Sequence, residues 1–160
     1  MHAETTLAQL IGEENQTVEA FAALLREEQT LLSDGEVVDL DRLPALIARK
    51  DAVAETLNRI AERRNAALAG LGLSPDRNGI ENWITSRPKD SGLLQVWQKT
   101  LNLAAEAREL NRLNGELIAL RLQHNGRALE ILQSGGRAPD LYGPDGQYSA
   151  AGMRRINDAV

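Results

Sequence analysis

Apolar residues recur every seven positions along most of this 160-residue chain. In the first third of the chain they come as adjacent pairs, Leu10–Ile11, Leu24–Leu25 and Leu31–Leu32. A seven-residue interval keeps side chains on one face of an α-helix over many turns, which is typical of helices that pack along their whole length in a bundle or a coiled coil. The repeat therefore predicts an all-α fold built from long helices.

Capping residues and helix breakers divide this repeat into separate helices. Thr6 is a candidate N-cap of the first helix, and Asp34–Gly35 is a suitable stop. Asp41 is a candidate N-cap of the second helix, because Pro44 is tolerated only near a helix start. Gly135–Gly136 is a suitable stop for the last helix. We predict long helices over residues 5–33, 41–70 and 91–133, and a short helix over 78–86.

The order of these helices predicts the topology. A short connection makes the first two long helices an antiparallel hairpin, and the longer third helix completes a three-helix, coiled-coil-like bundle. We therefore predict a helical domain over residues 1–133, followed by an irregular and flexible C-terminal tail over residues 134–160.

Two basic residues fall on an apolar stripe of the second helix. Lys50 and Arg64 share the seven-residue stripe of Leu43 and Leu57. Long cationic side chains can cover the edge of a core with their stems while the charged heads reach water, and we expect this of both residues. The acidic residues of the first helix are expected to form a solvated face.

The third long helix carries more apolar surface than a hairpin normally covers. This surplus predicts a further partner, which is either a second copy of the chain or a foreign helix. Within the helix, Asn111, Asn114 and Gly115 are poor helix formers close together, and Ile118 continues the face of the two asparagines. Either these asparagines set the register of a helix seam, or the segment lets another backbone come close.

Both tyrosines of the chain lie in the tail. Tyr142 and Tyr148 flank the turn sequence Gly-Pro-Asp-Gly at residues 143–146, which cannot continue a helix. Farther along, Met153 and Ile156 stand three residues apart in a short amphipathic pattern that Val160 continues. The tail is therefore a candidate for partner binding.

The composition argues against several classes of function. A net charge of −5 without a basic face argues against nucleic-acid binding. The chain has no cysteine, its two histidines lie far apart, and no nucleophile–base pair is evident, so we predict no enzyme, metal site or cofactor. No apolar run approaches the about 20 residues that span a bilayer, and we see no signal peptide, so we expect a cytoplasmic protein without membrane insertion.

Four segments together resemble the FlgN family of bacterial flagellar export chaperones. They are the run Leu24–Leu32 with its stop at Gly35, the hairpin arm Leu43–Val53, the block Leu110–Ile118 and the tail segment Tyr142–Gln147. The resemblance implies a chaperone of the flagellar type III export system that uses no nucleotide. Such a chaperone binds the C-terminal amphipathic region of hook-associated (hook–filament junction) proteins, prevents their premature assembly and delivers them to the export apparatus.

The same resemblance places partner contacts toward the C-terminal part of the chain. The residues that we expect to bind a partner are Leu110, Asn111, Leu113, Asn114, Leu117, Ile118, Asn125, Tyr142, Tyr148, Met153 and Ile156. Tyr142 is expected to dock either to the client or to the export gate. A structural adaptor that forms a homodimeric coiled coil is the alternative, because the seven-residue repeat supports it equally well.

Overall fold

The computed structural model describes residues 2–33 and 41–124, and within these two ranges it contains four α-helices, one 3-10 turn and no β-strand. The helices are α1 (His2–Ser33), α2 (Leu43–Gly70), α3 (Arg77–Thr85) and α4 (Leu93–His124), and the 3-10 turn at Lys89–Ser91 precedes α4. The predicted all-α fold is therefore confirmed. Residues 125–133 of the predicted third long helix, the predicted boundary at residue 134 and the tail lie outside the described residues.

The two hairpin helices begin at slightly different residues than predicted. α1 starts at His2, and the Thr6 hydroxyl donates a 2.7 Å hydrogen bond to the His2 carbonyl one turn earlier. Thr6 thus lies inside the helix, and the predicted cap at this residue is wrong. α2 starts at Leu43, and its N-cap is Arg42 rather than the predicted Asp41. Pro44 occupies the first turn, where a missing backbone N–H costs no helical hydrogen bond.

A capped loop connects α2 to the short helix α3. The Asp76 carboxylate accepts a 3.0 Å hydrogen bond from the Gly79 backbone N–H, and the Ser74 hydroxyl donates to it at 2.7 Å. The hydrogen bond from Ser74, followed by that from Gly79, lowers the pKa of Asp76. A Cβ atom at Gly79 would lie 1.8 Å from the Ser74 carbonyl oxygen, so only glycine lets the loop pass this closely.

α1 is the central helix of the bundle and packs against both α2 and α4. The ion pairs of α1 show in which direction each neighbouring helix runs relative to it. Glu14 pairs with Arg64, whereas Glu28, fourteen residues later, pairs with Lys50, fourteen residues earlier in α2. α1 and α2 are therefore antiparallel, as the predicted hairpin requires.

α4 runs parallel to α1 on another of its sides. Glu19 pairs with Lys99 at 3.4 Å, and Arg26, seven residues later, pairs with Glu106, seven residues later in α4, at 2.6 Å. The chain returns to the start of α1 through α3, where Arg87 pairs with Glu4 at 2.5 Å. The three long helices thus form an up-down-up bundle.

Apolar side chains fill the bundle in three clusters. At the end near α3, the cluster contains Leu7, Ile11, Leu68, Ile80, Trp83, Ile84 and Trp97. In the middle it contains Val18, Phe21, Ala22, Leu25, Ala54, Leu57, Ala61, Ala104 and Ala107. At the far end it contains Leu32, Leu43, Ile47 and Ile118. The clusters share the interior with buried charged groups.

Two ion pairs are buried in the seam between α1 and α2. Lys50 Nζ lies 2.9 Å from both carboxylate oxygens of Glu28, and the Arg64 guanidinium contacts the Glu14 carboxylate. The charged heads of Lys50 and Arg64 therefore do not reach water, and these two acids of α1 are not solvated, so both expectations are wrong. Each residue faces the seam, and opposite charges neutralise one another there.

A partly exposed pair stands beside each buried one. Glu13 lies 3.6 Å from Arg63, next to the buried pair at Glu14, and Glu27 lies 3.6 Å from Arg49, next to the buried pair at Glu28. These side chains are about half exposed, so solvent screens them and they stabilise the fold little. The register of the hairpin therefore depends on the buried pairs.

Arg64→Ala is expected to lower the free energy of unfolding by about 3 kcal/mol, because it leaves the Glu14 carboxylate buried without the guanidinium that faces it. The neighbouring Arg63→Ala is the matched control and should cost less than about 1 kcal/mol, because its pair with Glu13 is exposed. Urea unfolding followed by circular dichroism measures both. Equal losses in the two variants would contradict a special role of the buried pair.

Candidate partner-binding surface

The structure divides the predicted partner-binding residues into three groups. Asn111, Asn114 and Ile118 are buried in the bundle. On the same helix, α4, the side chains of Leu110, Leu113 and Leu117 are half-buried at the surface. The remaining predicted residues lie outside the described part of the chain; they are Asn125, Tyr142, Tyr148, Met153 and Ile156.

Asn114 joins all three long helices in one polar cluster. Its Nδ2 atom donates hydrogen bonds of 2.9 Å to the Leu25 carbonyl and to the Glu28 carboxylate, both in α1. The same carboxylate accepts from Lys50 of α2. The Asn114 Oδ1 atom is buried without a hydrogen-bond partner, but the Nδ2 bonds join the amide to the buried ion pair, so α4 has one preferred position along α1.

A second amide forms a hydrogen bond between α1 and α4, nearer the start of α4. Asn15 of α1 donates a 2.9 Å hydrogen bond to the Thr100 hydroxyl, which itself donates to the Val96 carbonyl at 2.9 Å.

Asn111 differs from Asn114 and Asn15, because its Nδ2 atom is buried without a hydrogen-bond partner. Of the two interpretations of the α4 asparagines, the interior position favours the one in which they set the register of a seam. A partner does not reach these side chains while the bundle keeps this arrangement.

Four leucines of α4 are half-buried or exposed at its surface, and we call them the leucine strip: Leu110, Leu113, Leu117 and Leu120. Their spacing of three, four and three residues places them along one side of the helix. Leu110 also packs against the middle core cluster, and Leu117 against the far one. Leu120 is the most open, with 54% of its surface exposed. It was not among the predicted partner-binding residues, although its seven-residue interval from Leu113 was the signal that could have added it.

The leucine strip begins where the ion pairs between α1 and α4 end. Lys99 and Glu106 hold these ion pairs on α4, and Leu113 and Leu120 continue their seven-residue series. α1 itself ends at Ser33. Along this series, apolar side chains therefore replace charged ones on α4 beyond Glu106, while α1 still contacts α4 through Asn114 and Arg121.

Charged groups border the strip. Arg112 lies 2.7 Å from the Glu109 carboxylate and 2.5 Å from the Glu116 carboxylate. The hydrogen bond from Arg112 lowers the pKa of Glu109, and the pKa of Arg112 is raised in return. Because two carboxylates share one guanidinium, this border carries a net negative charge. At the end of the strip, Arg121 donates a 3.0 Å hydrogen bond to the Leu32 carbonyl near the end of α1.

The leucine strip combines partly exposed apolar side chains with a charged border. An apolar strip with a charged border suits the apolar face of a helix. Across residues 2–33 and 41–124, no three His, Asp or Glu side chains cluster in a way that would hold a metal ion. None of the helices in these ranges has the length and apolar content needed to cross a membrane.

Asn114→Leu is expected to lower the free energy of unfolding by about 2 kcal/mol, since it removes two buried hydrogen bonds, one of them to a carboxylate. Asn111→Leu, one helical turn away on the same buried face, should leave stability unchanged or raise it, because the replaced amide has an unpartnered N–H group. Urea unfolding compares the two variants. A larger loss for Asn111→Leu would show that the register-setting role is assigned to the wrong asparagine.

Comparison with known proteins identifies the family of this chain. Residues 1–150 match the family model described as FlgN protein. A relative from Proteus mirabilis named flagella synthesis protein FlgN is 29% identical over 126 residues, which cover 79% of this chain and 78% of the relative. Relatives of the same name are 24% identical over 143 residues in Yersinia enterocolitica, covering 89% of each chain, and 28% identical over 128 residues in Salmonella typhimurium, covering 80% of this chain and 89% of the relative.

No solved structure matches this chain significantly. The family match nevertheless spans all four described helices and extends beyond them to residue 150. The match and the relatives together show that the chain belongs to the FlgN family.

Proposed function

We propose that this chain is a cytoplasmic export chaperone for flagellar hook-associated proteins. It binds the C-terminal amphipathic region of these clients, prevents their premature assembly and delivers them to the flagellar type III export apparatus. Membership of the FlgN family, whose matched relatives are named flagella synthesis proteins, is the observation that supports this function. The chaperone acts by binding alone and uses no cofactor or metal ion.

The leucine strip is the proposed client site within the described residues. Its four leucines extend over ten residues of α4, or about 15 Å, which matches roughly three turns of a client helix. A client helix with apolar residues every three or four positions packs against such a strip, and its polar face stays in water. Burial of apolar surface that would otherwise drive the client to assemble provides the binding energy.

The buried residues have a supporting role in this proposal. Asn114 holds α4 beside α1 through hydrogen bonds to Leu25 and Glu28. Ile118, which follows the strip residue Leu117 in sequence, packs in the far core cluster. They keep the leucines on a rigid surface rather than contact the client. In the tail, Tyr142 and Tyr148 are proposed to dock to the client or to the export apparatus.

Leu120→Asp is expected to weaken binding of the client C-terminal region at least about tenfold, equivalent to about 1.4 kcal/mol, because it places a charge at the most exposed position of the apolar contact. Leu94→Asp is the matched control. It changes a leucine of similar exposure, 45% against 54%, near the opposite end of the same helix. Titration calorimetry with purified hook-associated protein fragments measures both affinities, and circular dichroism verifies folding.

Equal weakening by the two substitutions, or none, would contradict the strip as the client site. The same variants distinguish the export chaperone from the alternative function, a homodimeric coiled-coil adaptor. In the adaptor, a second copy of the chain would cover the same exposed leucines. Light scattering at micromolar concentration reports the mass. A dimer that Leu120→Asp dissociates, together with failure of the unsubstituted chain to bind hook-associated proteins, would favour the adaptor.

A further inference from the structure

The last ten residues of the chain are complementary to the leucine strip. They lie after the part that matches the family model, which ends at residue 150. Met153, Ile156 and Val160 follow one another at intervals of three and four residues. Read from its C-terminal end, the strip has the same intervals, from Leu120 to Leu117 and then to Leu113. An antiparallel helix over 153–160 would therefore place three apolar residues opposite three leucines.

Charge favours the same arrangement. Arg154 and Arg155 stand between the first two apolar residues of the segment. In the antiparallel alignment they fall next to the border of the strip at Glu116, where two carboxylates share the single guanidinium of Arg112. Asp158 offsets one of these arginines, so the side chains of the segment retain a single excess positive charge. That charge is opposite to the excess negative charge of the border, which favours this orientation.

The connecting chain is long enough to allow this contact. Twenty-eight residues lie between His124 and Met153. A flexible chain of that length has a root-mean-square end-to-end distance of about 30 Å. The strip begins four residues before His124 and extends back to Leu110, and at 1.5 Å per helical residue this is at most about 21 Å. Even if the helix continues to residue 133, the remaining linker still reaches back to the strip.

We propose that residues 151–160 fold back onto the leucine strip in the client-free chain, antiparallel to α4, and that the client displaces them. The tether gives the segment an effective concentration in the millimolar range, so a weak contact is enough to cover the exposed leucines. The segment then acts as an internal competitor that keeps the empty chaperone from binding apolar segments indiscriminately. The competition rests on the proposed function, whereas the docking itself does not.

Cysteine pairing tests the docking without any client, because the natural chain has no cysteine. In one variant, Leu120→Cys is combined with Met153→Cys. In the matched control, Ala119→Cys is combined with Met153→Cys; residue 119 is exposed, has nearly the same tether length and points about 100° away. Under mild oxidation, the first pair is expected to form an intrachain disulfide at least ten times faster than the control. Adding Ile156→Asp to the first pair should reduce its rate to that of the control.

Equal rates for the two cysteine pairs would overturn the docking, and so would a disulfide that joins two chains instead of closing one. The competition is measured with a chain that ends at residue 150. If the segment covers the strip nine-tenths of the time, this chain should bind the client C-terminal region about tenfold more tightly. Unchanged or weaker affinity overturns the competition. If neither chain binds the client, the proposed function fails, while the cysteine rates still decide the docking.

Discussion

The register of α1 against α2 rests on two buried ion pairs, Glu14 with Arg64 and Glu28 with Lys50. A shift of α2 by seven residues would place each glutamate opposite a leucine of α2 and leave four charges buried without their partners. Breaking even one such pair costs several kcal/mol, so the shifted hairpin is strongly disfavoured although its apolar stripes would still match. Leucine heptads alone would not make this distinction, because they look alike after every shift of seven.

The position of α4 along α1 depends on one of these buried ion pairs, Glu28 with Lys50. Asn114 donates to the Glu28 carboxylate and to the Leu25 carbonyl, so α4 is fixed to α1 at the level where α1 already pairs with α2. Farther along, α1 ends at Ser33 and the ion pairs between α1 and α4 cease. Leu113 and Leu120 continue the seven-residue series of Lys99 and Glu106 with apolar side chains, while α1 still contacts α4 at Asn114 and Arg121. The leucine strip thus lies on α4 beyond Glu106, the last α4 residue of the described ion pairs with α1.

The seven-residue repeat predicted the three long helices, because a stripe of apolar side chains on a long helix requires burial wherever its partner lies. The starts of all three, and the ends of the first two, lie within a few residues of the prediction. The repeat did not predict the buried charges, since a stripe shows which face packs but not what lies opposite. The signal was present in the sequence. Glu14 and Glu28 alternate with the apolar residues Leu7 and Phe21 on α1, as Lys50 and Arg64 alternate with leucines on α2. Predicting that Asn111 and Asn114 face the interior likewise required the position of the neighbouring helix, α1.

The central claim, that a client helix binds on the leucine strip, is tested most directly by amide hydrogen exchange in the chain with and without the C-terminal region of a hook-associated protein. Binding on the strip predicts slower exchange, by about tenfold or more, for amides of residues 110–124, because the client stabilises this end of α4 against local opening. Amides of residues 93–104, at the other end of the same helix, should keep their rates. Protection confined to the end of the bundle near α3, with no change in residues 110–124, would contradict the claim.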